Sequence, residues 1–200
     1  MSRKQSKWDS YHSALGEEVD IDPIERCVFQ NGEAFRWDIT NGMPPEFDKC
    51  GAVYSEPPWR SGFESFNKRA GVDNELRSYQ NLIDSISSAC VKFKKPCFIL
   101  TSKADSKLYK KTSGSVPVKF EVHGFYESVC VCFNVEAPNF GVESITTAQL
   151  IKWITKKYSV VGDFCCGYGT TGEKVIKEGG YAVLCDYNPK CVAVVAQRMS

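Results

Sequence analysis

Two short segments hold the residues best suited to chemistry. In Ser55-Glu56-Pro57-Pro58-Trp59 a carboxylate, two prolines and an indole follow the apolar run Ala52-Val53-Tyr54. An amine on an aromatic ring is a poor nucleophile because its lone pair is delocalised. A catalyst must accept hydrogen bonds from its hydrogens while holding the nitrogen against an electrophile. Glu56 and a carbonyl of the rigid Pro57-Pro58 segment offer the two acceptors, and Trp59 offers a face on which a base can stack. Taken alone, a proline pair is a turn and the ring behind it is core packing. No cysteine, tyrosine or histidine stands in an evident nucleophilic arrangement, which argues against covalent catalysis.

The second segment is Asp163-Phe164-Cys165-Cys166-Gly167-Tyr168-Gly169-Thr170-Thr171-Gly172. A strand at Val160-Val161, this glycine turn, a helix through Val175 and Ile176, a strand over 181–184 and the acid Asp186 make the first half of a doubly wound nucleotide-binding sheet. Gly167 and Gly169 let backbone amides approach a ligand, and Asp186 can accept from ribose hydroxyls. A dinucleotide fingerprint would place three spaced glycines over a pyrophosphate. Here Thr170 and Thr171 follow, and Asp163 before the turn suits a cationic ligand better than a phosphate. Any tight strand-to-helix connection can carry glycines, so the turn alone is a weak signal.

The whole run from Asp163 to Thr171, with Asp186-Tyr187-Asn188-Pro189 and Ala196-Gln197-Arg198, resembles the cofactor half of the amino-methyltransferases of the β-type circular order. These enzymes methylate adenine N6 or cytosine N4 in DNA. Their segment reads Asp-Pro-Phe-Cys-Gly-Ser-Gly-Thr-Thr, from which Phe164, Cys165 and Tyr168 depart. Glu56-Pro57-Pro58-Trp59 resembles their Asp-Pro-Pro-Trp with Glu in place of Asp, and Gly32-Glu33-Ala34 resembles their Gly-Asp-Ala turn. All three occur in the family's permuted order, over roughly residues 26–198.

The resemblance implies S-adenosylmethionine as cofactor. Asp163, Cys166, Gly167 and Gly169 would surround its methionine part, helped by the helix over 147–157 and with Thr170 and Thr171 continuing the turn. Asp186 and Asn188 would lie by the ribose, and Gly32 and Glu33 by the adenine. Glu56, Pro57, Pro58 and Trp59 would be catalytic, and Trp59, Arg60, Phe63 and Phe66 would receive the target base. The expected reaction is methyl transfer to an exocyclic amine of nucleic acid, adenine N6 in DNA before RNA, since tryptophan after the proline pair leans toward adenine by family habit. The alternative is a catalytically silent subunit that binds cofactor or nucleic acid for a partner, which the change to Glu56 favours. A partner subunit or homodimer fits either reading. Residues 136–144 leave only a short loop where sequence-reading relatives insert a recognition region, so selectivity is expected to be low or supplied by a partner chain.

Among the elements that position these residues, Cys27-Val28-Phe29 predicts a strand ending at a turn around Asn31-Gly32-Glu33, and 52–54 a second strand. The glycine- and serine-rich stretch 60–72 predicts a mobile loop. Leu76, Tyr79, Ile83, Ile86, Cys90 and Phe93 recur at helical spacing, ended by Pro96. Residues 97–100 predict a buried strand, 102–117 a lysine-rich loop, and 118–122 with 129–135 an antiparallel hairpin. Thr146 and Gln149 carry a capping-box spacing ahead of Leu150, Ile151 and Ile154, and Asn188-Pro189 starts a last helix. The expected fold is α/β and Rossmann-like, with a mostly parallel sheet, an antiparallel hairpin and helices on both faces. A polar arm over 1–25 precedes one domain over 26–200, its acceptor half 26–145 and its cofactor half 146–200.

Two hundred residues with 42% hydrophobic content suffice for one such core. A formal charge of +1 gives no global attraction to polyanions, so nucleic acid must be met by local groups such as Lys103, Lys107, Lys110 and Lys111. The same lysines would equally keep a long loop solvated. No apolar run reaches membrane-spanning length, and a soluble cytoplasmic protein is expected. Ten cysteines read as reduced thiols packed as small hydrophobes rather than a disulfide framework. No metal site is expected, because Cys130-Val131-Cys132 lacks a second cysteine pair and His12 and His123 are isolated.

Overall fold

The computed structural model describes residues 21–71, 78–110, 118–123, 127–142 and 144–200. Its sheet runs in the order β1 (Arg26–Phe29), β2 (Gly32–Arg36), β9 (Tyr181–Asp186), β8 (Val160–Asp163), β3 (Ala52–Ser55), β4 (Cys97–Ser102), β6 (Glu127–Phe133), β5 (Val118–His123), β7 (Ile145–Thr146). The central five strands from β2 to β4 are parallel, and β6 turns back antiparallel on β4. This is the expected α/β sheet, including the hairpin, in which Val122 pairs with Ser128 and Val118 with Cys132.

Central strands bury both faces and so read as unbroken apolar runs rather than alternating ones. In β4, Phe98 and Leu100 enter one core layer, whereas Cys97 and Ile99 enter the other. Helices α3 (Thr147–Tyr158), α4 (Thr170–Lys177) and α5 (Pro189–Met199) cover the first layer through Leu150, Ile154, Val175, Val192 and Val195. Helix α2 (Tyr79–Phe93) covers the second through Leu82, Ile83, Ile86 and Cys90, joined by Phe47 and Tyr109 from short 3-10 turns.

Local chemistry sets the helix limits. Thr146 and Gln149 close a reciprocal capping box at the start of α3, which satisfies amides that have no partner inside the helix. Asn188 accepts from the Lys190 amide, and Pro189 takes the first position of α5. Ser78 caps α2, which ends at Phe93 when Lys94 turns left-handed at φ 60°, before Pro96 is reached; Leu76 lies outside the described residues.

Three expectations are corrected. Gly32 is not a turn residue: Gln30 and Asn31, the latter at φ 62°, make the turn, and Gly32 opens β2. Residues 60–69 are not a loop but helix α1 (Arg60–Arg69), started by Trp59 in an extended conformation. The lysine-rich stretch contains a 3-10 helix, Asp105–Lys110, with 111–117 outside the described residues.

The connections create the site. Strand β8 passes through α4 on one face to β9 on its outer side, whereas β3 passes through α1 and α2 to β4 on the opposite side. The chain thus departs in opposite directions from two adjacent parallel strands. In such sheets ligands bind in the crevice beyond the carboxyl ends of those strands.

Candidate active site

The end of β3 and the end of β8 are joined directly. The Ser55 hydroxyl donates to Asp163 Oδ1 at 2.7 Å, and the Cys165 amide is shared between Ser55 Oγ at 3.1 Å and Asp163 Oδ1 at 3.0 Å. The segment that begins the proline pair and the segment that begins the glycine turn therefore share one hydrogen-bond network at the switch point. Asp163 is buried within it. Burial raises its carboxyl, against the hydrogen bonds of Ser55, the Cys165 amide and Thr171, to a pKa of about 7.

In the glycine turn, Gly167 (φ 49°) has open space where a side chain would stand, leaving its backbone open to close approach. Gly169 (φ 84°) serves packing, since a Cβ there would lie 2.8 Å from Met199. The Gly167 amide donates to Asp186 Oδ2 and the Asn188 amide to Oδ1, both at 3.0 Å. This fixes the carboxylate while leaving lone pairs for further donors. Cys166 is buried and burial pushes its thiol pKa well up, so it lines the turn as an apolar group. Thr171 is buried beside Asp163, whereas Thr170 is exposed at the head of α4.

On the acceptor side the Tyr54 hydroxyl, fully buried in the sheet, donates to Glu56 Oε1. Sequence reading missed Tyr54; its place two residues before the carboxylate, on the same face of a strand, is the signal that could have found it. Pro57 is buried, Pro58 and Trp59 are half-buried, and Glu56 is exposed. Behind them Phe63 packs edge-on against Tyr79 with ring centroids 5.4 Å apart, and the Arg60 amide donates to Asp105 Oδ2 at 3.3 Å. Phe66 is half-buried and Arg60 exposed. Lys103 is exposed and paired with Glu121, Lys107 is exposed, and Lys111 lies outside the described residues.

Gly32 and Glu33 do not reach this crevice. Glu33 stands opposite Val183 and Arg36 opposite Asp186, which puts Glu33 about 10 Å down the strand at ~3.3 Å per residue. Its carboxylate is already held by Arg26 at 2.6 Å and by Lys49. Burial pushes its pKa up, but these two cations outweigh that and hold it below the ordinary value. Gly32 is glycine because a Cβ would meet the Phe29 ring and the Ala182 carbonyl oxygen. Gly32→Ala is therefore expected to lower unfolding stability in urea by about 1–3 kcal/mol, leaving ligand binding by the folded chain unchanged.

The pair that follows β2 at its carboxyl end, on the side of the crevice, is Trp37-Asp38. The Trp37 amide donates to the Asp186 carbonyl at 2.9 Å, and Asp38 caps a 3-10 turn through the Thr40 amide. Reading 32–36 as a strand would have shown this pair as the loop at its carboxyl end.

A cavity of about 20 Å³ lies among Trp37, Ile39, Pro58, Phe63, Asn67 and Phe164, and the Tyr187 hydroxyl donates across it to Asn67 Oδ1 at 3.1 Å. A larger hollow of about 670 Å³, between Thr40, Met43, Asp84 and Lys92, contains none of the motif residues. No group of histidines, cysteines and carboxylates among the described residues could hold a metal ion. None of the ten cysteines forms a disulfide, and no described helix is long and apolar enough to cross a membrane.

No protein-family model matches the sequence, and no curated protein is similar to it. Solved structures are. The cytosine-N4-specific PvuII DNA methyltransferase matches with a TM-score of 0.57 at 11% identity over 90% of each chain. TTHA0409 of Thermus thermophilus, described as a DNA modification methylase, matches at 0.52 with 12% identity over 86% of this chain and 94% of its own. The M1.HpyAVI complex with S-adenosylmethionine matches at 0.51 with 10% identity over 84% and 99%. The chain therefore has the fold that these DNA methyltransferases have.

Proposed function

We propose that this chain is an S-adenosylmethionine-dependent methyltransferase that acts on an exocyclic amino group in DNA, adenine N6 in the first instance. The observation that carries this is the Ser55–Asp163 bond, which ties the proline-pair motif to the glycine turn at the switch point of a methyltransferase fold. S-adenosylmethionine would supply an electrophilic methyl group on a sulfonium. Its fit to the residues present rests on the open space over Gly167, the fixed acid Asp186 and the partnerless buried amide nitrogen of Asn67. Asp163, Cys166, Gly167 and Gly169 would hold the methionine part, Asp186 the ribose, and the Trp37-Asp38 loop the base.

This chain's own residues then prepare the acceptor. Glu56 and the Pro57 segment accept the hydrogens of the target amine, which favours a localised lone pair, and Trp59 stacks on the base. In duplex DNA the base must first be flipped out. Glutamate is one methylene longer than aspartate, and the Tyr54 bond fixes the longer arm. Tyr54→Phe is expected to lower the turnover number about tenfold, the scale of one orienting hydrogen bond, with cofactor affinity unchanged in steady-state assays. PvuII is cytosine-N4-specific by name, and the adenine preference proposed here rests on Trp59 alone.

The second reading, a silent subunit, draws on the engaged Glu56 and the small cavity. Cofactor titration followed by labelled-methyl transfer to unmethylated DNA and RNA, with nucleoside analysis of the product, separates the two. N6-methyladenine in DNA supports the proposal, and N4-methylcytosine moves the target base. Cofactor binding without transfer, unrescued by a partner chain, supports the silent subunit, and absence of cofactor binding ends the proposal and leaves the silent subunit only as a binder of nucleic acid.

A further inference from the structure

Asn67 is 1% exposed, yet its Nδ2 has no hydrogen-bond partner. Buried donors are nearly always paired, so an orphan of this kind asks for an absent acceptor. The amide oxygen is turned to the Tyr187 hydroxyl, which leaves the nitrogen as the group available to the cavity. Around it stand Trp37, Asp38, Ile39, Pro58, Phe63 and Phe164. Aromatic and apolar walls with the Asn67 donor and the Asp38 carboxylate suit a planar heterocycle that carries both a ring acceptor and an amino group.

The location agrees. Tyr187 directly follows Asp186, and Trp37 is bonded to the Asp186 carbonyl, so this slot adjoins the sugar side of the site. On the cofactor reading above, on which this inference rests, the base of the nucleoside belongs there. We propose that Asn67 donates to a ring nitrogen of the cofactor's adenine and that α1 closes over the nucleoside as it does so. A cavity of about 20 Å³ holds a water and no more, so a purine enters only if α1 moves outward and returns onto it. Helix α1 is suited to this: of its described side chains only Phe63 and Asn67 are buried. It starts immediately after Pro57-Pro58-Trp59, so cofactor occupancy and the placing of the acceptor motif change together.

The test is calorimetric titration of the unaltered chain and of Asn67→Leu with S-adenosylhomocysteine and its 1-, 3- and 7-deaza analogues. Asn67→Leu is expected to weaken S-adenosylhomocysteine about tenfold. One deaza analogue should lose the same factor on the unaltered chain and bind both chains equally. Equal affinity of S-adenosylhomocysteine for the two chains overturns the proposal, as does a full deaza loss persisting in the variant. Should Asn67→Leu fail to fold, Tyr187→Phe removes only the bond that orients the amide and should weaken binding about threefold. No loss in that variant, or no weakened deaza analogue on the unaltered chain, also overturns it. If the unaltered chain binds neither S-adenosylmethionine nor S-adenosylhomocysteine, the cofactor reading itself falls and takes this inference with it.

Discussion

Glu56→Gln lowers the turnover number for methyl transfer by on the order of a hundredfold to a thousandfold, the loss seen when one preorganised electrostatic contact to a reacting group is removed. Cofactor affinity stays within about twofold, because the contact sought is with the acceptor amine and not with the cofactor. The carboxylate offers Oε1 to Tyr54 and retains Oε2 for the amine. The amide replaces one of these acceptors with a donor, so either the tyrosine contact or the amine contact is lost. Glu56 is exposed, and the fold has no reason to suffer. Glu56→Asp is expected to fall as well rather than rise. The shorter arm leaves Tyr54, and a shift near 1 Å costs on the order of a hundredfold. Single-turnover transfer of a labelled methyl group, with cofactor titration alongside, measures both quantities. Unchanged transfer in Glu56→Gln would remove Glu56 from the catalytic group.

What could be read from the sequence was what lies in contiguous residues. The capping box at Thr146 and Gln149, the strand, turn and helix around Asp163 to Gly172, and the hairpin over 118–135 each carry their signal within a few positions. Helix α1 does not. Ser61, Gly62, Ser65 and Asn67 are weak helix formers, and the segment is held by distant partners, Phe63 on Tyr79 and the Arg60 amide on Asp105. Strand β2 was hidden because glycine usually marks a turn, whereas Gly32 is required by the approach of Phe29 and the Ala182 backbone. That misplacement carried Glu33 to the wrong end of the sheet, since its partners Arg26 and Lys49 lie 7 and 16 positions away. The small cavity beside helix α1 is bounded by a bond between residues 120 positions apart, Asn67 and Tyr187, which no local pattern encodes.

Asp163→Asn is expected to gain stability over the parent as pH rises. The Asp163 carboxyl has a pKa of about 7, raised chiefly by burial and further by the negative charge of Glu56, against 3.8 as the ordinary value. The folded state thus binds the proton more tightly than the unfolded state. The stability this confers is complete below about pH 4 and is lost as pH climbs to about 7, on the order of 4 kcal/mol in all. Asparagine has no such dependence. It keeps both donors, since the Ser55 hydroxyl and the Cys165 amide meet the same oxygen, Oδ1. The Thr171 hydroxyl, which donates to the carboxylate, can turn to accept from the new amide. Urea unfolding of both chains from pH 4 to pH 8 should show the difference between them growing through that window, and a constant difference would mean that Asp163 is ionised in the fold throughout. The same titration governs binding if the ligand presents an ammonium to this carboxylate. Only the ionised form then attracts it, so parent affinity falls roughly tenfold per pH unit below 7, while the variant binds weakly at every pH with no slope. A variant more stable than its parent at pH 8, yet poorer at holding a cationic ligand, is the pattern of a buried acid retained for function at the expense of the fold.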